Sequence, residues 1–197
     1  MESDADLIRQ MRAGDERAFV SLVERYNDSM LRLAASFVPS RAVAEEVVQD
    51  TWLAVLRGAA AFEGRSSLRT WMFRILVNRA RTTGSREQRS IPVADAGPAV
   101  DASRFGPDGR WASPPEHWIE EAEERMAAGR LAGRIRSAIG DLPDRQRQVV
   151  TLRDVEGMSS EEVCEVLAIS EANQRVLLHR GRSRLRQVFE TDFRGAP

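Results

Sequence analysis

Apolar residues return every three or four positions along nearly all of residues 4–83. In LIRQMRAGDERAFVSLVERYNDSMLRLAASFV the set Leu7, Ile8, Met11, Phe19, Leu22, Val23, Tyr26, Met30 and Leu33 keeps a helical period. Asp15 follows Gly14 and suits the cap of a second helix, and Pro39 with Ser40 breaks the chain before a third. Within AVAEEVVQDTWLAVLRGA, one face carries Ala44, Val48, Trp52 and Val55. The opposite face carries Glu45, Glu46, Gln49, Asp50, Leu53 and Arg57. Gly58 and the FEGRSS loop end that helix. LRTWMFRILVNRARTT is the next, with Leu68, Trp71, Met72, Ile75 and Leu76 as its core side and Arg65, Arg69, Arg74, Arg79 and Arg81 around them. No stretch alternates with the period of two that a strand requires.

From Gly84 the pattern stops. SIPVADAGPAVDASRFGPDGRWASPP holds five prolines among Gly, Ser and Asp and reads as a linker without a core of its own. A loop of that length inside one compact domain is uncommon, so it predicts two domains. Helical periodicity resumes near Glu116 and continues through DRQRQVVTLRDVEG, SSEEVCEVLA and a final arginine-rich segment. The expectation is an all-α chain: two small helical domains, residues 1–84 and 116–197, joined by a flexible linker over 85–115.

The last two helices form a recognisable unit. Ser159 or Ser160 can cap the first, with Glu162 placed for a capping box. Val163, Val166 and Leu167 give it one apolar face, and Cys164 is small enough for close helix approach. Ala168-Ile169-Ser170 makes a turn, and Ser170 can cap a helix from about Glu171 to Phe189. Its inward stripe is Leu178, Gly181, Leu185 and Val188, with Arg175, His179, Arg182 and Arg186 on another side. This is the arrangement of a helix-turn-helix, whose second helix enters the major groove by its N-terminal half. A basic amphipathic helix that is only packed and solvated is the competing reading.

Composition narrows the partners. The net charge is −1, so nucleic-acid binding must come from a local patch and not a global field. All 29 basic side chains other than histidine are arginine, whose planar fork of donors suits phosphates and guanine edges. Cys164 is the only cysteine, which excludes an intramolecular disulfide and a cysteine-cluster zinc site. HWIEEAEE, with His117, matches no metal motif; its acids read as a solvated helix face or as a mimic of nucleic acid. No cofactor, metal or catalytic residue is indicated, and the chain does not read as an enzyme. MESDADLIRQ is acidic and polar, unlike a secretion signal, and no apolar run approaches a membrane span, which predicts a cytoplasmic protein without membrane insertion.

LPDRQRQVVTLRDVEGMSSEEVCEVLAISEANQRVLLHRGRSRLR resembles region 4 of bacterial sigma factors of the extracytoplasmic-function branch. GDERAFVSLVERY, AEEVVQDTWLAVLR and FEGRSSLRTWMFRILVNRAR resemble region 2 of the same family, in the same order. The resemblance implies a promoter-specificity subunit. Its first domain would bind core RNA polymerase and open the −10 element, and its second would bind the −35 element as duplex. It implies polymerase contacts at Glu45, Glu46, Gln49, Asp50 and Leu53. It implies −10 contacts at Phe62, Glu63, Gly64, Arg65, Ser66, Ser67 and Asn78, where a loop and an amide side chain would hold a flipped base. Base and phosphate contacts to the −35 element match Arg175, Val176, His179 and Arg180, with Ala172 and Asn173 as further candidates. His179 is equally readable as a packing residue. The implied partners are core polymerase, promoter DNA and an anti-sigma protein. The alternative is a two-domain helix-turn-helix regulator that acts without polymerase.

The chain departs from that family at two points. Ala168 stands where glycine is common, so a positive φ there would be strained. Asn173-Gln174 replaces a frequent Thr-Val pair, and Gln174 falls on the inward stripe. It must be either exposed in the first turn or engaged in a buried hydrogen bond.

Overall fold

A computed structural model of the chain describes residues 3–87 and 123–194, with side chains placed for 3–85 and 132–190. Among the described residues every regular element is helical. In chain order they are α1 (Asp4–Arg12), α2 (Glu16–Ala34), α3 (Arg41–Gly58), a 3₁₀ turn (Ala59–Ala61) and α4 (Leu68–Glu87). Then follow α5 (Glu123–Gly140), α6 (Asp144–Val150), a π turn (Thr151–Val155), α7 (Ser160–Leu167) and α8 (Glu171–Arg194). Residues 88–122, which hold most of the expected linker and His117, lie outside the described residues.

The starts of the helices are local chemistry. Each leaves backbone N–H groups without an intrahelical partner, and a short oxygen-bearing side chain takes one of them. Ser3 accepts from the Asp6 amide, Asp15 from Arg17 and Ser40 from Val43. Gly14, at φ +86°, turns the chain from α1 into α2, a backbone region open to glycine at no steric cost.

The first four helices enclose one core. Leu22, Met30, Leu33, Val55, Met72, Phe73 and Leu76 are fully withdrawn from solvent. Tyr26 meets Phe73 edge-on at 6.5 Å between ring centres, and its hydroxyl donates to Asp4 Oδ2 at 2.6 Å. Burial, and then the Asp4 carboxylate, push the Tyr26 phenol up to about 12. Helix α4 packs on α1, α2 and α3 on one side and on α7 on another. That explains why Phe73 and Val77 are also buried, although the core side read from periodicity did not include them.

Two boundaries differ from expectation. Gly84 does not end α4, which runs on to Glu87. A Cβ at residue 84 would lie 2.3 Å from the Phe37 carbonyl oxygen, so glycine there permits close passage and does not break the helix. The segment after Asp144 is not one α-helix but α6 followed by the π turn, in which the Glu156 amide donates to the Thr151 carbonyl. Gly157, at φ +65°, releases the chain toward α7.

The second bundle closes over Val149, Val150, Leu152, Met158, Val163 and Leu167. Helix α8 lies directly on α6, because Gly181 has no Cβ to meet Val150 Cγ2, which would stand 2.6 Å away. Val188 was expected to face inward yet is 45% exposed. The reason is length: α8 has 24 residues and α6 only 7, so the stripe outruns the helix that covers it.

Ala168 sits at φ 50°, ψ 52°, the left-handed region that alanine occupies at a cost. Ala168→Gly is expected to raise the unfolding free energy by about 0.5–1 kcal/mol, the alanine penalty less the backbone entropy of glycine. Gly84→Ala is expected to lower it by about 2 kcal/mol or more through overpacking. Urea titrations followed by circular dichroism measure both.

Candidate nucleic-acid interface

Helix α7 begins with a complete capping box. The Ser159 hydroxyl accepts from the Glu162 amide at 3.1 Å, and the Glu162 carboxylate accepts from the Ser159 amide at 2.9 Å. The chain turns at Ala168, and Ser170 then caps α8 by accepting from the Asn173 amide at 3.3 Å. The open choice for Gln174 resolves as burial. It is fully enclosed, and its Oε1 accepts from Ser160 Oγ at 3.3 Å, joining the starts of the two helices.

With Gln174, Leu178 and Gly181 turned inward, the other side of α8 is presented to solvent. Ala172, Asn173, Arg175 and Val176 are exposed, Val176 by 47%; His179 and Arg180 are half-buried. The expected basic side is not uniform. Arg175 pairs with Glu171 one turn back, an exposed pair that contributes little. Arg182 instead forks onto Asp154 of the π turn, Nε to Oδ2 at 3.0 Å and Nη2 to Oδ1 at 2.6 Å, with both side chains largely sheltered. Arg186 pairs with Glu190. Arg182 thus fixes the orientation of α8, whose first turns present Ala172, Asn173, Arg175 and Val176 to solvent.

The loop before α4 is held at its root. Arg12 of α1 donates from Nε to the Ala59 carbonyl at 2.9 Å and from Nη2 to the Phe62 carbonyl. The Phe62 ring lies 5.0 Å from that of Trp71. Beyond this anchor the loop opens outward. Glu63, Gly64, Arg65 and Ser67 are exposed, Phe62 and Ser66 are half-buried, and Gly64 has φ +71°. Ser67 caps α4 by accepting from the Thr70 amide at 3.1 Å. Asn78 is exposed on α4, about 16 Å along the axis from Ser67 at 1.5 Å per residue. Loop and amide therefore bound one stretch of α4 and do not converge on a single point.

The outer face of α3 is where periodicity places it. Glu45, Glu46, Gln49, Asp50 and Leu53 are all exposed. Leu56 is 44% exposed beside Leu53 at 48%, so the apolar area is larger than the single leucine read from the sequence; the i, i+3 spacing was the available signal. Arg79 of α4 reaches Asp50 at 3.5 Å and ties this face to that helix.

A seam between α4 and α7 was not foreseen. Glu162 accepts from Ser67 Oγ and Thr70 Oγ1, each at 3.0 Å, and faces Arg69 Nη2 at 3.4 Å. Arg69 also donates to the Glu156 carbonyl at 2.9 Å, and Arg74 pairs with Glu165 at 2.6 Å. Arg81 donates to the Leu167 carbonyl at the end of α7. Nearby, Arg32 meets Glu156 at 2.8 Å, and the buried Gln148 amide donates to the Ser36 carbonyl at 3.1 Å. Burial works to raise the Glu162 pKa. Hydrogen bonds from the Ser159 amide, Thr70 and Ser67, with the Arg69 charge, outweigh it and hold the carboxyl below its usual value. The Cys164 thiol is pushed up by burial and by Glu171, which suits a packing residue and not a reactive thiolate.

Known proteins carry the same order of segments. Residues 22–90 match the family model for sigma-70 region 2, and residues 132–185 match that for sigma-70 region 4. The chain is 30% identical over 180 residues to the ECF RNA polymerase sigma-E factor of Escherichia coli K12, covering 91% of each. It is 29% identical over 195 residues to the RNA polymerase sigma-H factor of Pseudomonas aeruginosa, covering 99% of this chain and 98% of the relative. Among solved structures it is similar to CnrH in complex with the cytosolic domain of CnrY. There the TM-score is 0.61 and the identity 26%, covering 97% of this chain and 99% of that one. The sigma factor RpoE of Bartonella quintana, solved with the anti-sigma factor NepR, shares the fold at TM-score 0.55 and 21% identity, covering 88% and 98%.

The depressed Glu162 pKa has a consequence for acid stability. Its contribution is fully present above the unfolded value of 4.5 and is lost as the pH falls through the lower folded value. Wild-type stability is expected to drop as the pH is lowered below 4.5, and Glu162→Gln to flatten that part of the profile. Denaturant midpoints measured at stepped pH provide the comparison.

Proposed function

The chain belongs to the extracytoplasmic-function family of RNA polymerase sigma factors, and from that premise we propose how its residues divide the work of promoter recognition. Residues 1–84 form the unit that docks on core polymerase and handles the −10 element. Residues 116–197 form the unit that reads the −35 element, and 85–115 join them. Core polymerase is engaged through α3, where Glu45, Glu46, Gln49 and Asp50 set register and Leu53 and Leu56 supply apolar area.

The −10 element is opened against the loop Phe62–Ser67 and α4. An extruded base needs a pocket with both donors and acceptors beside it, and a basic track for the unpaired strand. The anchored, outward-opening loop suits the pocket for one base, Asn78, about 16 Å further along α4, offers a two-sided amide to another position of the strand, and Arg65, Arg69, Arg74 and Arg81 supply the track. The −35 element is read as duplex by the exposed start of α8 through Ala172, Asn173, Arg175, Val176, His179 and Arg180. Buried Gln174 and the Arg182–Asp154 fork hold that helix in place. The protein contributes binding energy, and bond making belongs to the polymerase. It works beside the polymerase in the cytoplasm; no helix among the described residues is long and apolar enough to cross a membrane. An anti-sigma protein is the further partner that the family implies, and CnrH, to which this chain is similar, was solved in complex with the cytosolic domain of another protein, CnrY.

The observation that carries this reading is the pair of exposed surfaces, α3's outer face and α8's first turns, each set on a rigid helix in the order that the family requires. Run-off transcription with purified core polymerase tests it, because start sites must appear only when this chain is added. Arg175→Ala or Arg180→Ala is expected to weaken −35 binding by about 1–3 kcal/mol where the arginine grips a guanine bidentately. Asn78→Ala is expected to spare duplex binding by the holoenzyme and to slow formation of the permanganate-reactive open complex. Leu53→Asp is expected to abolish co-purification with core polymerase.

A further inference from the structure

Loop 62–67 is held in place from outside itself. Within it, Glu63 and Arg65 pair at 3.0 Å, with side chains 64% and 86% exposed, a contact that restrains little. At its entry the Phe62 amide meets the Ala59 carbonyl at a long 3.4 Å. The firm contacts come from two neighbouring helices. On one side the Trp71 ring of α4 lies against Gly58, where a Cβ would stand 3.0 Å from Cζ2, and meets the Phe62 ring at 5.0 Å. On the other side Arg12 reaches over from α1 and spans the Ala59 and Phe62 carbonyls with one guanidinium group.

Arg12 stands on a rigid support. It is the last residue of α1, whose Leu7 and Ile8 are buried and whose Asp4 accepts from Arg25 and Tyr26 of α2, each at 2.6 Å. A guanidinium is planar and its donors diverge at fixed angles. Bonding two carbonyls three residues apart therefore fixes both the place and the tilt of the turn from which the loop departs. A lysine there would supply a single charge without that fork.

We propose that Arg12 is a positioning residue for capture of the −10 base: it touches no base, and it sets loop 62–67 in its receiving shape before the strand arrives. The proposal rests on that loop being the −10 pocket. A pocket that must be ordered as the base enters loses binding free energy for each side chain it immobilises, and a pocket already set does not. The loss falls on the extruded base alone, because neither the −35 duplex nor the strand's phosphates depend on the shape of the loop.

Holoenzyme assembled with the full-length chain tests this on fork-junction DNA carrying a promoter mapped by run-off transcription. Each unpaired −10 base is replaced in turn by an abasic site, and the ratio of affinities for intact and abasic DNA is read at each position. Arg12→Ala is expected to reduce that ratio about fivefold at one position while leaving the affinity for abasic DNA unchanged. Arg12→Lys, which keeps the charge and loses the fork, is expected to do the same. A variant that is merely less stable lowers the active fraction and moves both DNAs together. An unchanged ratio in Arg12→Ala overturns the positioning role, and so does full recovery by Arg12→Lys, which would make Arg12 a plain charge for the strand. Glu63→Gly, Arg65→Gly and Ser66→Gly combined separate this from the −10 reading. If that chain keeps the wild-type ratio at every position, loop 62–67 is not the pocket and both fall. If it loses the ratio while Arg12→Ala keeps it, only the positioning role falls.

Discussion

One carboxylate is shared by two structures that need it for different reasons. Glu162 completes the cap of α7 by accepting from the Ser159 amide, and with its remaining lone pairs it accepts from Ser67 and Thr70 at the start of α4. Either role alone is ordinary. Together they mean that the start of the helix-turn-helix and the start of the loop-bearing helix meet at a single charged group. Burial disfavours that charge, but the donors around it more than offset the penalty, so the group stays ionised. The start of α7 takes its position against α4 from this corner.

The placement of α8 follows from a short chain of constraints. Ser160, one residue into α7, donates to buried Gln174, one turn into α8, so the two helix starts are joined by a hydrogen bond. Gly181 lets α8 settle on Val150. The π turn carries Asp154 to Arg182. Ala168 takes a left-handed conformation to make the bend, and its strain is borne by the packing on both sides. A helix held at three points along its buried side presents its remaining face at a defined angle, as major-groove recognition demands.

Electrostatics in this chain are local. With 29 arginines against 30 acids there is almost no net field, and many arginines are matched within the fold. Arg182 serves geometry. Arg175, at the exposed start of α8, pairs only with a neighbour that solvent already reaches. A polypeptide with this balance has little general attraction for nucleic acid and depends on presenting particular guanidinium groups at particular places. That is consistent with a subunit whose DNA contacts matter when polymerase holds it against a promoter.

Much of this was legible from residue order because it is local. Helical periodicity located the inward faces of α2 and α3, and Asp15, Ser40, Ser159 and Ser170 marked helix starts, since a cap acts over three residues. The exposed acids of α3 followed from the same periodicity. The positive φ at Ala168 was legible as a possible strain and Gln174 as a polar residue on an apolar stripe, but neither outcome was. Burial of Gln174 depends on Ser160 arriving from another helix, and extension of α4 past Gly84 depends on the Phe37 carbonyl. The seam joining Ser67, Arg69 and Arg74 to Glu162 and Glu165 spans more than 90 positions in the chain. Residue order alone therefore determined which segments are helical, which faces are apolar and where capping begins, because those are near-neighbour properties. Only tertiary structure decided which charges are spent on each other and which remain for DNA, because that choice is made by groups brought together across the whole fold.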